Sequence, residues 1–326
     1  MNPAYSVIFL TTLIGVGQGL FIALLSVQGY TTAQFLPPQP DQFYSIGSMI
    51  ALGFLIAGLF ASFFHLGHPE RAWRAAAMWR TSWLSREVIV LPLFMLVVFV
   101  YGALHYFEIG GHTEILQQDM TNKNIVTLAV GIIGVLVCFT LFVCTGMIYA
   151  CLKFLQEWHS PLTVINYTIL GMASGFTLAS LYAVYIKSNL LHFLTGWAIT
   201  LTVAGMITRA ASLFRNHRIK YKSNLQTAIG VRHNKIQQKA QGAMGGSFNT
   251  REFFHNQKVG LIKSMKWIFI VLAFMVPVVL LAVGYRNQSI GVFWAAFICQ
   301  YIGLIAERWF FFAQAKHPQN LYYQTI

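Results

Sequence analysis

The sequence predicts an all-α integral membrane protein, a bundle of eight transmembrane helices with both termini cytoplasmic. Three observations carry this expectation. Hydrophobic residues make up 56% of the 326 residues, charged residues only 10%, and the mean hydropathy is +0.60, whereas a soluble chain carries about 25% charge. The apolar residues gather into eight runs, each long enough in helical form to cross a hydrocarbon core of about 30 Å. Lysine and arginine are almost absent from those runs and crowd into a few connections, as the positive-inside rule requires. The same figures exclude a disordered chain, a collagen-like fibre and a disulfide-stapled secreted domain. The net charge of +13 does not point to nucleic acid, because its placement follows membrane sidedness rather than a phosphate-tracking groove.

The expected spans are residues 6–28, 44–64, 87–107, 125–155, 162–185, 190–213, 265–283 and 290–314 of a single membrane domain, 1–326. The first opens on Met1-Asn2-Pro3-Ala4-Tyr5 without a basic stretch, and reads as a retained span rather than a signal peptide. It carries Gly15, Gly17 and Gly19, and the fifth carries Gly171 and Gly175; such small residues let helices approach closely. Gln18 is expected to make an interhelical hydrogen bond. The fourth run is long enough to tilt or project from the bilayer. The runs are rich in Leu, Ile, Val and Phe without period-2 alternation, which argues against a β-barrel. Cys138, Cys144, Cys151 and Cys299 all fall in apolar runs without a C-x-x-C pair and read as buried small hydrophobes, not metal ligands. No internal repeat is evident.

Of the 22 Lys and Arg residues, eighteen fall on the side holding the termini and the even-numbered connections, three (Lys123, Lys187, Arg286) on the other, and Arg308 within the last run. This bias predicts cytoplasmic termini. The sixth connection, a long basic cytoplasmic loop over 215–264, together with its helix edges supplies most of the excess, Arg209 being one of the edge cations.

Ionisable groups at or inside helix ends are costly and point to function. His65 closes the second run, Glu87 opens the third with Ser85 as its N-cap, and Glu307 and Arg308 lie near the end of the eighth. All fall at the cytoplasmic edge, with Arg71 and Arg74 following His65. Quinone chemistry suits this set: the headgroup needs hydrogen bonds to two oxygens and groups that exchange protons, while its tail needs an apolar slot. Trp73, Trp79 and Trp83 suit the interfacial depth of such a headgroup. Structural roles compete with this reading: a carboxylate in a first helical turn favours the helix dipole, and arginines bind lipid phosphate.

HLGHPERAWRA (65–75) followed by RTSWLSREV (80–88) resembles the signature of the DMSO reductase membrane-anchor family, and AERWFFFAQ (306–314) resembles that family's closing helix. The resemblance implies an anchor for a molybdopterin catalytic subunit and a four-cluster iron–sulfur subunit that exchanges electrons with ubiquinone or menaquinone. It implies no haem or metal in this chain itself. It marks His65, Gly67, Arg71 and Glu87 as quinone-binding residues, to which position adds Trp83, Glu307 and Arg308; no residue is expected to be catalytic. The long basic loop, with Gly242, Gly245, Gly246 and an aromatic pair at Phe253 and Phe254, departs from the family's pattern and is expected to pack against the iron–sulfur subunit. The closing segment 306–324 and the opening 6–20 are similar to the anchor of cytoplasmic sulfite:quinone oxidoreductases within the family. The expectation is therefore a multi-pass protein of the bacterial inner membrane with catalytic partners in the cytoplasm, passing electrons from sulfite to quinone; the alternative is oxidation of menaquinol by an S-oxide reductase. Two rivals rank lower. A secondary transporter would place its charges near mid-bilayer, and a haem held by His105 and His192 would require two edge histidines to face one another.

Overall fold

The computed structural model describes residues 3–107, 117–237, 239, 259–318 and 321, and among them every regular element is helical. Eight helices are long and apolar enough to cross a membrane. The first six are α1 (Tyr5–Thr32), α2 (Asp41–Phe63), α3 (Trp83–Tyr106), α4 (Gln117–Ala150), α5 (Pro161–Tyr185) and α6 (Leu191–His217). A one-turn helix, α7 (Leu225–Ile229), lies in the long connection. The seventh span is α8 (Val259–Ile270), a π segment (Val271–Met275) and α9 (Val276–Asn287), and the eighth is α10 (Ile290–Ala313). Phe253, Phe254 and the three glycines of the long loop lie outside the described residues.

α1 and α5 form the centre, and their small residues explain why. A Cβ on Gly175 would lie 2.1 Å from the Gly19 carbonyl carbon, and one on Gly19 would lie 2.3 Å from the Gly171 oxygen. The two backbones touch, so dispersion contacts replace the hydrophobic drive that lipid cannot supply. Around them the other helices turn Phe60, Leu96, Leu136, Val279 and Ile302 outward, at least half exposed on the isolated chain, as lipid-facing side chains do. Gln18 donates to the Cys138 carbonyl at 3.0 Å and ties α1 to α4.

Helix ends differ from the apolar runs where polar chemistry intervenes. α3 starts at Trp83, because Ser82 accepts from the Ser85 amide at 3.3 Å; Ser82, not Ser85, is the cap, and Glu87 sits in the second turn. The fourth run ends at Ala150, and residues 151–159 turn across the end of the bundle, which leaves Cys151 exposed. α6 continues to His217, so Arg209 lies inside a helix instead of at a loop edge. In the seventh span Pro277 has no N–H to donate and its ring crowds the carbonyl of residue 273. The π segment directly before it widens the helix there, and Gly303 of α10 packs against it: a Cβ on Gly303 would sit 2.2 Å from the Ala273 nitrogen.

With eight spans, the start of α1 and the end of α10 fall at one face, here called the terminal face. The α2–α3, α4–α5 and α6–α8 connections share it.

Candidate functional site

On the terminal face, a pocket of about 210 Å³ opens between α1, α2, α3 and the α2–α3 connection. Its walls are apolar, chiefly Leu10, Leu59, Phe63, Leu84, Val88 and Leu91, and it contains two ionisable groups, His65 and Glu87. The connection that roofs it runs through a 3-10 helix, Pro69–Ala76, whose Ala72 and Ala75 line the pocket. Arg86 fastens that roof: its Nε donates to the Trp79 carbonyl at 2.9 Å and its Nη2 to the Arg80 carbonyl at 2.7 Å, while the guanidinium lies 4.2 Å from the Trp83 ring centroid.

The two ionisable groups differ in setting. Glu87 is 7% exposed and accepts a hydrogen bond from the Thr145 hydroxyl of α4. His65 is exposed at the mouth, and partial burial against the apolar wall pulls its imidazole below the ordinary histidine range. It is therefore neutral at pH 7 and able both to donate and to accept. Pro92 of α3 adds a backbone feature. It cannot supply the N–H that the Val88 carbonyl would receive in a regular helix, and both residues line the pocket. An apolar slot with a neutral imidazole, a sealed carboxyl and a backbone acceptor can hold a flat headgroup bearing two oxygens and move protons to or from it.

The other expected site residues take other places. Gly67 and Arg71 are exposed on the connection, outside the pocket lining; Arg71 Nε is 3.7 Å from Glu70, which also meets His68 at 3.1 Å. Gly67 has neither a positive φ nor a close neighbour, so a sharp helix exit does not require it. Trp83 stacks under Arg86 and is not part of the pocket wall.

Glu307 and Arg308 form a second centre, outside the lining of this pocket. Glu307 is fully buried between Arg209 of α6 (Nε to Oε1, 2.7 Å) and Arg308 (Nη1 to Oε2, 3.2 Å). The Arg308 guanidinium lies 3.6 Å from the Tyr167 ring centroid, and Tyr167 stacks on Tyr149 at 5.7 Å. A polar chamber of about 10 Å³ adjoins this cluster and reaches Glu157 and Arg215 near the surface. There Tyr221 donates to Glu157 at 2.7 Å, and burial beside that carboxylate pushes the Tyr221 hydroxyl well up. Arg209, Tyr149, Tyr167 and Thr145 escape a sequence reading. Arg209 adjoins a basic loop, and the others are common membrane-helix residues, so only the i, i+4 spacing of Thr145 and Tyr149 gave a sign of a shared face.

At the opposite end of α3, His105 is not a headgroup-facing histidine. It is 4% exposed, its Nδ1 is 2.7 Å from Asp41, and it stacks on Tyr44 at 4.7 Å. Next to it Tyr101 donates to Gln28, which donates to Thr127. His192 contacts Tyr285 instead. Among the described residues no group of three or more His, Cys, Asp or Glu side chains is placed to hold a metal ion.

An eight-span bundle with a terminal-face pocket, and with basic connections on the same face, defines a multi-pass membrane subunit. Residues 1–314 match the family model described as DMSO reductase anchor subunit (DmsC), and the chain belongs to that family. It is similar to the C-subunit of the sulfite dehydrogenase of Allochromatium vinosum, 56% identical over 326 residues that cover the whole of both chains.

Proposed function

We propose that this chain is the membrane anchor and quinone-binding subunit of a heterotrimeric molybdopterin oxidoreductase in the bacterial inner membrane, passing electrons between an iron–sulfur subunit and the quinone pool. The observation that carries the reading is the pairing of His65 and Glu87 across an apolar pocket at the terminal face. The pocket's volume and its few convergent polar groups fit a quinone headgroup, with the open side left for the tail. His65 would hold one headgroup oxygen from the mouth. Glu87, oriented by Thr145, would hold the other and keep or release a proton there. Molybdopterin and the iron–sulfur clusters belong to the partner subunits and supply the substrate chemistry.

The name and full-length identity of the Allochromatium protein favour sulfite as the electron source. The balanced reaction joins sulfite, water and quinone to give sulfate and quinol; two electrons pass to the quinone, and the two protons released at sulfur equal the two taken up at oxygen. The family's own description favours the second reading, the same anchor role in an S-oxide reductase that oxidises quinol. The basic terminal face points to the cytoplasm for the partner subunits.

The test is Glu87→Gln and His65→Ala in the purified complex. Quinone-coupled turnover is expected to fall by about a hundredfold or more, the scale of a lost general acid–base group, while the soluble subunits still turn over with an artificial dye. Normal coupling in either variant places the site elsewhere.

A further inference from the structure

Glu87 is sealed from water on every side except the pocket itself, and a bound headgroup would close that side too. Each two-electron conversion of a quinone takes up or releases two protons. His65, at the exposed mouth, can exchange one with solvent; Glu87 needs a route of its own.

Polar side chains lie in succession from Glu87 toward the terminal face. Thr145 donates to Glu87, and Tyr149 stands one helical turn nearer the terminal face on the same side of α4. Tyr149 stacks on Tyr167, and Glu87 lies within electrostatic reach of both tyrosines. The Tyr167 ring carries Arg308, which pairs with Glu307. From Glu307 the polar chamber, with room for about one water, leads to Glu157.

A purely mechanical clasp between α6 and α10 would explain the ion pairs but not the chamber. Besides the ion-paired atoms of Arg209 and Glu307, four buried polar atoms stand along this stretch without a hydrogen bond among the described residues: Asn166 Oδ1, the Tyr167 hydroxyl, Arg209 Nη2 and Glu157 Oε2. Such atoms are costly in a membrane unless water or proton traffic uses them.

We propose that the hydroxyls of Thr145, Tyr149 and Tyr167 and the carboxyls of Glu307 and Glu157 line a proton path from Glu87 in the headgroup pocket to the water of the terminal face. Glu307 is its inner relay, and Arg209 and Arg308 hold that carboxylate in place. The inference rests on the quinone reading of the pocket.

The experiment uses the complete complex and follows quinone-coupled turnover in H2O and D2O, with quinone affinity measured separately. Tyr167→Phe keeps the stacked ring and removes only the hydroxyl, and Glu307→Gln removes the ionisable carboxyl. Turnover is expected to fall about tenfold or more, with unchanged quinone affinity, a larger solvent isotope effect and normal dye-coupled activity. Wild-type turnover and isotope effect in Tyr167→Phe overturn the path, whether or not Glu307→Gln assembles. If Glu87→Gln also couples normally, the pocket reading falls with it; if Glu87→Gln is inactive while Tyr167→Phe is normal, only the path falls.

Discussion

At the residue scale, the energetic focus of the molecule is Glu307, an acid with no exposed surface held between two guanidiniums. A buried ion pair gains little over an apolar core, but removing one partner leaves an uncompensated charge. Glu307→Met, which leaves Arg209 and Arg308 buried without a counter-charge, is therefore expected to destabilise the domain by about 3–5 kcal/mol, read as a lower midpoint of thermal unfolding in detergent. Pairing it with Arg209→Met should recover part of that loss, because one of the two stranded guanidiniums is gone. The importance of Glu87, Glu307 and Arg308 could be read from the chain, since a charge inside an apolar run is conspicuous. Their division into a pocket and a separate cluster could not, because it depends on which way each helix is rotated in the bundle. Arg209 stayed hidden because its neighbours in sequence are basic loop residues, and its partner is nearly a hundred positions away.

At the element scale, the eight apolar runs translate into eight helices because hydrocarbon leaves the backbone no other way to satisfy its own hydrogen bonds. What composition could not settle was where polar side chains stop a helix: at Ser82 rather than Ser85, and at Ala150 ahead of a turn-rich connection. The glycines of α1 and α5 were legible as a close approach, and the backbone contact makes them intolerant of bulk. Gly175→Val would put a branched side chain where the Gly19 backbone already stands. Overpacking costs about 1–3 kcal/mol even where side chains can give way, and here they cannot. We expect poor accumulation of the variant complex in membranes and a lower unfolding midpoint for what does accumulate.

At the scale of the whole molecule, sidedness follows from charge rather than from shape. Cys151, exposed at the terminal face, offers a direct check. A membrane-impermeant maleimide is expected to label it in inverted vesicles and not in intact spheroplasts; the reverse pattern would put the terminal face outside. The π segment of the seventh span has a different global effect. It adds one residue to a turn, so the two halves of that span are indexed to separate neighbours, Phe269 to the aromatic cluster beside Glu307 and Leu281 to the central core. Losing a single residue between 271 and 275 would swing one half by about 100° against the other, and the face presented to Gly303 would no longer mesh. The membrane domain thus carries a keyed coupling: its two leaflet-facing ends can be tuned by substitution independently, but neither can change length alone.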